Sequence, residues 1–158
     1  MLEGKKKLLE LEKTGKYFFH GTGNEVEVFE PHQSYNWYGG EKKEDGAPAI
    51  SASPDADYAI FMAIFNKKNC PNVTRTQVDI VANDEESERH RLVFSATSET
   101  MANLRDDASG WAYVFKREDF PYQKGKSEYR SHVHVAALEK ILVKKEDLPE
   151  PIEILEIK

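Results

Sequence analysis

Tyr17-Phe18-Phe19-His20-Gly21-Thr22-Gly23 is the stretch on which the reading of this chain turns. Three aromatics in a row stop at Gly-Thr-Gly. That is the pattern of a short buried strand delivering a histidine to the mouth of a loop. Upstream, residues 2–13 predict a short helix, with Leu2, Leu8, Leu9 and the Lys5 stem along one side and Gly15 ending it. Downstream, residues 31–48 read as loop, because Pro31, Gly39, Gly40, Gly46 and Pro48 interrupt any period. An aromatic cluster, Tyr35, Trp37 and Tyr38, lies inside that loop.

The remaining chain predicts one more clear helix and several strands. Ala49–Ala52 reads as a strand, and Ser53-Pro54-Asp55 as a helix start with Ser53 as N-cap and Pro54 in the first helical position. Tyr58, Phe61, Met62 and Phe65 recur at helical spacing to about Asn66. Thr76–Val81 and Arg91–Ala96 read as a hairpin around the charged turn at residues 83–88, and residues 98–108 as a short helix. Gly110–Lys116, Glu128–Val135, Ile141–Val143 and Ile152–Ile157 read as strands. No repeat or linker divides residues 1–158, so one domain is expected. One early helical region followed by many short strands predicts an α+β fold around a mostly antiparallel β-sheet with a few helices.

Composition narrows the class. With 22 Lys and Arg against 28 Asp and Glu, the net charge is −6. An acidic chain is a poor general binder of phosphate backbones, so nucleic acid ranks below other partners. The single cysteine, Cys70, has no partner for an internal disulfide or a thiolate metal cluster. The N-terminal lysines are followed by no apolar run of signal-peptide length, and no stretch nears the roughly 20 apolar residues of a membrane span. These features predict no membrane partner and a protein that stays in the cytoplasm, unless it is exported without a signal.

Three ordered segments resemble the NAD-binding cleft of the ADP-ribosyltransferases, in particular the diphtheria-toxin and poly(ADP-ribose)-polymerase branch. Phe19-His20-Gly21-Thr22 is similar to that branch's strand ending in His-Gly-Ser/Thr. Residues 50–59, Ile-Ser-Ala-Ser-Pro-Asp-Ala-Asp-Tyr-Ala, are similar to its second strand and following helix. Ser127-Glu128-Tyr129 is similar to its catalytic Glu-Tyr pair on a later strand. Ser51 stands where the branch carries a tyrosine. Ser51-Ala52-Ser53 is closer to the Ser-Thr-Ser of the cholera-toxin branch, which in turn begins with arginine where this chain has His20. The motif is therefore a hybrid, and Tyr58 is the aromatic left to stack on nicotinamide. The resemblance implies a split antiparallel sheet, NAD as co-substrate, and a cleft holding His20, Gly21, Thr22, Ser51, Ser53, Tyr58 and Glu128.

The chemistry asks for these residue types. Breaking the bond between nicotinamide and ribose builds oxocarbenium character, as in glycoside cleavage. A carboxylate beside the ribose stabilises that charge, the part for Glu128. A ring nitrogen of His20 suits a ribose hydroxyl, and Gly21 admits close backbone approach to the carboxamide. Each residue also has a plainer role. His20 ends a buried strand, Tyr58 packs in a core, Ser53 caps a helix, and Glu128 pairs with Arg130 or a lysine on a surface strand. Period 2 puts Glu128, Arg130, His132 and His134 on one face and Tyr129, Ser131, Val133 and Val135 on the other. His132 and His134 lack a second ligand motif at metal spacing, so no metal is expected. Lys5-Lys6-Lys7 and Lys144-Lys145 read as solvated faces. Tyr35, Trp37 and Tyr38 form either a lid over NAD or part of the core.

Three functions follow as expectations. The first is mono-ADP-ribosyl transfer from NAD to a macromolecular acceptor, a protein on the grounds of the acidic charge. The second is NAD hydrolysis. The third is a non-catalytic NAD-binding or protein-interaction module, for which the Ser51 departure speaks. RNA 2′-phosphotransferases use a related fold, but the basic phosphate pocket they need has no clear counterpart here.

Overall fold

A computed structural model describes residues 2–72, 75–82 and 90–156. The helices are α1 (Glu3–Lys13), α2 (Ala56–Ile64) and α3 (Ser98–Asn103). The strands are β1 (Tyr17–Thr22), β2 (Tyr35–Tyr38), β3 (Glu41–Glu44), β4 (Ile50–Ala52), β5 (Thr76–Ala82), β6 (His90–Ala96), β7 (Ser109–Lys116), β8 (Tyr122–Gly125), β9 (Glu128–Ser131), β10 (Glu139–Lys144) and β11 (Ile152–Ile154). The fold is α+β and mostly antiparallel, as the sequence predicts. One sheet runs β1-β7-β10 and a second β4-β9-β8; a third runs β11-β6-β5, in which β11 is parallel to β6. The first two sheets meet where Phe19 and Ser53 exchange backbone hydrogen bonds of 2.7 and 2.8 Å.

The central sheet separates two apolar layers. On one face, Phe19, Ala112 and Val114 pack with the buried side of α2, including Ala59, Ile60, Ala63 and Ile64, and with Leu8 of α1. On the other, Phe18, Tyr113 and Phe115 meet Phe29, Phe120 and Val135. Alternation along β1 therefore sends Phe18 and His20 to the aromatic layer and Phe19 to the helical one. The His20 ring stands edge-on to Phe29, with centroids 5.2 Å apart.

Two glycines let α2 lie very close to the sheet. A Cβ on Gly21 of β1 would stand 1.7 Å from the Ala59 carbonyl oxygen, and one on Gly110 of β7 would stand 2.1 Å from that of Ala63. No side chain fits there. The requirement at Gly21 is thus already imposed by helix packing, apart from any ligand. Cys70 is buried beside α3, its thiol donating to the Thr100 carbonyl at 3.2 Å.

The structure departs from the sequence expectations in several places. The presumed loop at residues 31–48 contains the β2–β3 hairpin. Gly39 and Gly40 form its two-residue turn with φ of 56° and 84°, the positive pair that a type I′ turn requires. α2 begins at Ala56, with Asp55 rather than Ser53 in the N-cap position and Pro54 outside the helix. Its first N–H, from Ala56, is taken by Glu12 Oε2 of α1 at 2.6 Å, so the cap comes from a different helix. The Glu128–Val135 strand stops at Ser131, and Val133 is 65 % exposed, so the predicted alternation ends with the strand. β8 was not expected. The predicted turn at residues 83–88 lies outside the described residues, although the β5–β6 pairing on either side is present.

Substituting Gly110→Ala should lower the unfolding free energy by about 3 kcal/mol, because the helix carbonyl has nowhere to move. Gly125→Ala, where the added Cβ meets nothing within 4 Å, should change it by less than about 0.5 kcal/mol. Urea unfolding midpoints of the two variants give the comparison.

Candidate functional site

A cavity of about 240 Å³ opens where β1, β4, β9 and α2 converge. His20, Gly21, Ser51, Ser53, Tyr58 and Glu128 all line it. Residues 108 positions apart in the chain, His20 and Glu128, are thereby brought to one hollow. Thr22 is not among its lining residues. Its hydroxyl accepts from the Asn24 N–H at 3.2 Å, and it faces a neighbouring hollow with Asn66, Lys67 and Lys68. His132 and His134 also lie elsewhere: His132 is exposed, with Nδ1 2.9 Å from the Pro48 carbonyl and its ring against Tyr122. Among the described residues no cluster of His, Cys, Asp and Glu has the makings of a metal site.

Ser51 is the hinge of the arrangement. β4 pairs antiparallel with β9, with Ser51 opposite Arg130. The Ser51 carbonyl faces His20 Nδ1 at 2.6 Å, and its hydroxyl donates to Glu128 Oε2 at 3.0 Å. A carbonyl only accepts, so Nδ1 carries the proton and Nε2 keeps its lone pair for a ligand. Burial pushes the His20 pKa below its ordinary value, against the opposing pull of the Ser51 carbonyl, with His32 adding a smaller push downward. The imidazole is therefore neutral near pH 7, an acceptor at Nε2.

Glu128 is held on one oxygen and open on the other. Oε2 accepts from Ser51 and from Arg130 Nε, the latter at 2.6 Å. Among the described residues Oε1 receives no hydrogen bond. The Glu128 carboxylate is ion-paired with Arg130 and also lines the cavity. Tyr129, on the opposite face of β9, stacks on Phe18 with centroids 4.3 Å apart and locks the strand. Tyr58 projects from the first turns of α2 into the same cavity. Burial, and then the negative charge of Glu128, raise its pKa, so its phenol stays protonated.

The remaining serines are structural as well as cavity-lining. Ser53 Oγ lies 2.7 Å from Ser127 Oγ and accepts from the Asp55 N–H at 3.0 Å, while Ser127 donates to Asp55 Oδ2 at 2.6 Å. This buried network ties the start of α2 to the residue before Glu128. Ser127, Ser34, Asp45 and Met62 also line the cavity, and Arg130 does so as more than a partner for Glu128. None of Ser34, Asp45 or Met62 carries a motif. They reach the cavity by tertiary folding. The side chains of Trp37 and Tyr38 lie outside the described part; Tyr35 is 46 % exposed under Lys42 Nζ, 4.1 Å from its ring centre, so it is not a core residue.

Among the described residues no helix is long and apolar enough to cross a membrane. Comparison with family models, curated proteins and solved structures found no match.

The depressed His20 pKa has a thermodynamic sign. The unfolded chain takes up a proton near pH 6.5 that the folded chain refuses. Stability from this site is full above that value and is lost as pH falls through it toward the lower folded value. The melting temperature should therefore drop on going from pH 7.5 to about pH 5.5, and His20→Gln should shrink the drop. An equal drop in both proteins would show that His20 is not its source.

Proposed function

We propose that this chain is a mono-ADP-ribosyltransferase, transferring ADP-ribose from NAD to a macromolecular acceptor, by preference a protein, and releasing nicotinamide. On this reading its first two sheets are the halves of an ADP-ribosyltransferase-like split sheet. The observation that carries it is Ser51: one residue touches the imidazole of His20 with its carbonyl and the carboxylate of Glu128 with its hydroxyl. Three segments far apart in sequence, each selected for its likeness to the same cleft, contribute to one cavity.

The chemistry assigns each group a job. His20 Nε2 accepts from a ribose hydroxyl. The backbone around Gly21 and the Tyr58 ring hold the nicotinamide carboxamide and face. Glu128 Oε1 is free to accept from the 2′-hydroxyl of the reacting ribose and to stabilise positive charge there as the glycosidic bond breaks. The bonding electrons leave with nicotinamide, which becomes neutral. The acceptor nucleophile then bonds the ribose carbon and gives up its proton. At about 240 Å³ the cavity falls below the roughly 300–1,000 Å³ of pockets that swallow a drug-sized ligand. It suits the nicotinamide-ribose end, with the rest of the dinucleotide lying across the rim.

A second reading draws on a separate observation. Arg130 neutralises part of the charge on Glu128 from 2.6 Å. That weakens electrostatic stabilisation of a cationic ribose and favours an NAD-binding module without turnover. Release of nicotinamide separates the two. Hydrolysis to free ADP-ribose without an acceptor would instead mark an NAD glycohydrolase.

Incubation with labelled NAD and cell lysate should label acceptor proteins, and Glu128→Ala should lower the rate about 10²–10³-fold. Equal labelling by the two proteins defeats the transferase reading. Thermal stabilisation by NAD without nicotinamide release supports the binding module.

A further inference from the structure

Arg130 is almost sealed from solvent, with 7 % of its side chain exposed, and its guanidinium is committed on two sides. Nε donates to Glu128 Oε2 at 2.6 Å. Nη1 donates to the Asp45 backbone carbonyl at 2.8 Å, and Nη2 to Asp45 Oδ2 at 2.8 Å. Asp45 is the first residue after β3, and its N–H closes the base of the β2–β3 hairpin on the Ser34 carbonyl at 2.8 Å. Lys124 of β8 holds the other carboxylate oxygen of Asp45, Oδ1, at 2.9 Å. At Gly46 the chain turns with φ 74° and passes so close that a Cβ would stand 3.2 Å from Arg130 Nη1. Ser34 and Asp45, the two feet of the hairpin, both line the cavity.

A guanidinium is a rigid planar fork. A displacement of the hairpin feet is carried through it to the carboxylate on the far side, because neither contact can follow the other without rotating the same plane. Leaving either partner unpaired exposes a buried charge to a poor environment, so the two contacts stand or fall together. A surface ion pair between flexible chains would not behave in this way.

We propose that Arg130 is a positioning residue that ties the β2–β3 hairpin to Glu128, so that seating of the hairpin feet over the cavity and orientation of the Glu128 carboxylate are a single event. The inference rests on the reading of this cavity as the NAD site. Freeing the hairpin feet then weakens the hold on the dinucleotide and, through the same fork, turnover as well.

Two measurements on the full chain test it. Hydrogen exchange without ligand is compared for wild type, Asp45→Asn, Arg130→Gln and the double variant. Asp45→Asn should speed exchange across residues 35–46 at least about tenfold and leave residues 109–116 unchanged. The double variant should exchange there no faster than Arg130→Gln alone, since both changes cut one tether. Steady-state nicotinamide release from NAD is then measured. Asp45→Asn and Arg130→Gln should each raise KM about tenfold and lower kcat about tenfold, and the double variant should fall no further than Arg130→Gln alone. Unchanged exchange over residues 35–46 in a folded Asp45→Asn protein, or a kcat there equal to that of the wild type, overturns the tether. If Arg130→Gln does not fold, Asp45→Asn, which preserves side-chain volume, decides alone. A wild type that neither binds nor cleaves NAD defeats the proposed function instead, and the exchange comparison still judges the tether.

Discussion

The distance between α2 and the sheet beneath it governs the geometry of the cavity. Gly21 and Gly110 present bare backbone where Ala59 and Ala63 come down, and the carbonyls of the helix occupy the space that side chains would have filled. Interiors packed to this density transmit a shift of one element to its neighbours. Tyr58 precedes Ala59, and His20 precedes Gly21, so the contact that seats the helix also fixes the phenol relative to the imidazole. Glu12 and the Ser53–Ser127–Asp55 network anchor the same helix at its start. The wall formed by β1 and α2 is over-determined by backbone, helix capping and side-chain hydroxyls together.

The facing wall is held by charge. Ser51, Glu128, Arg130, Asp45 and Lys124 form a continuous line of hydrogen bonds from the floor of the cavity to the hairpin. The positive side chains of Lys124 and then Arg130 hold the Asp45 carboxyl below its usual range. A buried guanidinium is tolerable in such a setting because its nitrogens meet oxygen acceptors on both sides. The two walls therefore differ in kind. One is set chiefly by the close approach of bare backbone to helix carbonyls. The other depends on the ion pairs that Arg130 and Lys124 make with the carboxylates of Asp45 and Glu128.

Much of this was legible in the sequence, for identifiable reasons. Phe18, Phe19, Tyr113 and Phe115 give β1 and β7 strong apolar signatures, and Ala59 to Phe65 give α2 an unmistakable buried face. Six of the seven residues singled out for the cleft line one cavity; Thr22 points into the next hollow. The hairpin was hidden because β3 is Glu-Lys-Lys-Glu, a strand with no apolar alternation to reveal it, and because Gly39 and Gly40 read as interruption when they are the turn. Asp45 and Ser34 were invisible for the same reason: they matter only once the hairpin exists. The N-terminus of α2 was misplaced by two residues because its cap, Glu12, lies 44 positions away. No local rule finds such a partner. Val133 was taken for strand because it continues the alternation of residues 128–135, yet the strand ends at Ser131 and leaves Val133 exposed.

Among the described residues β2 and β3 pair as strands only with each other, so both rims of the ribbon are sheet edges. Ribbons of this kind are open templates onto which another molecule can zip. All four residues of β3 are exposed, and all four are charged, two of each sign. Another chain adding itself along that rim would have to strip water from this double-sided row of ions. The composition that concealed the ribbon from pattern recognition is thus also its protection against self-association, and it allows a two-stranded appendage to stand beside the cavity without seeding aggregates.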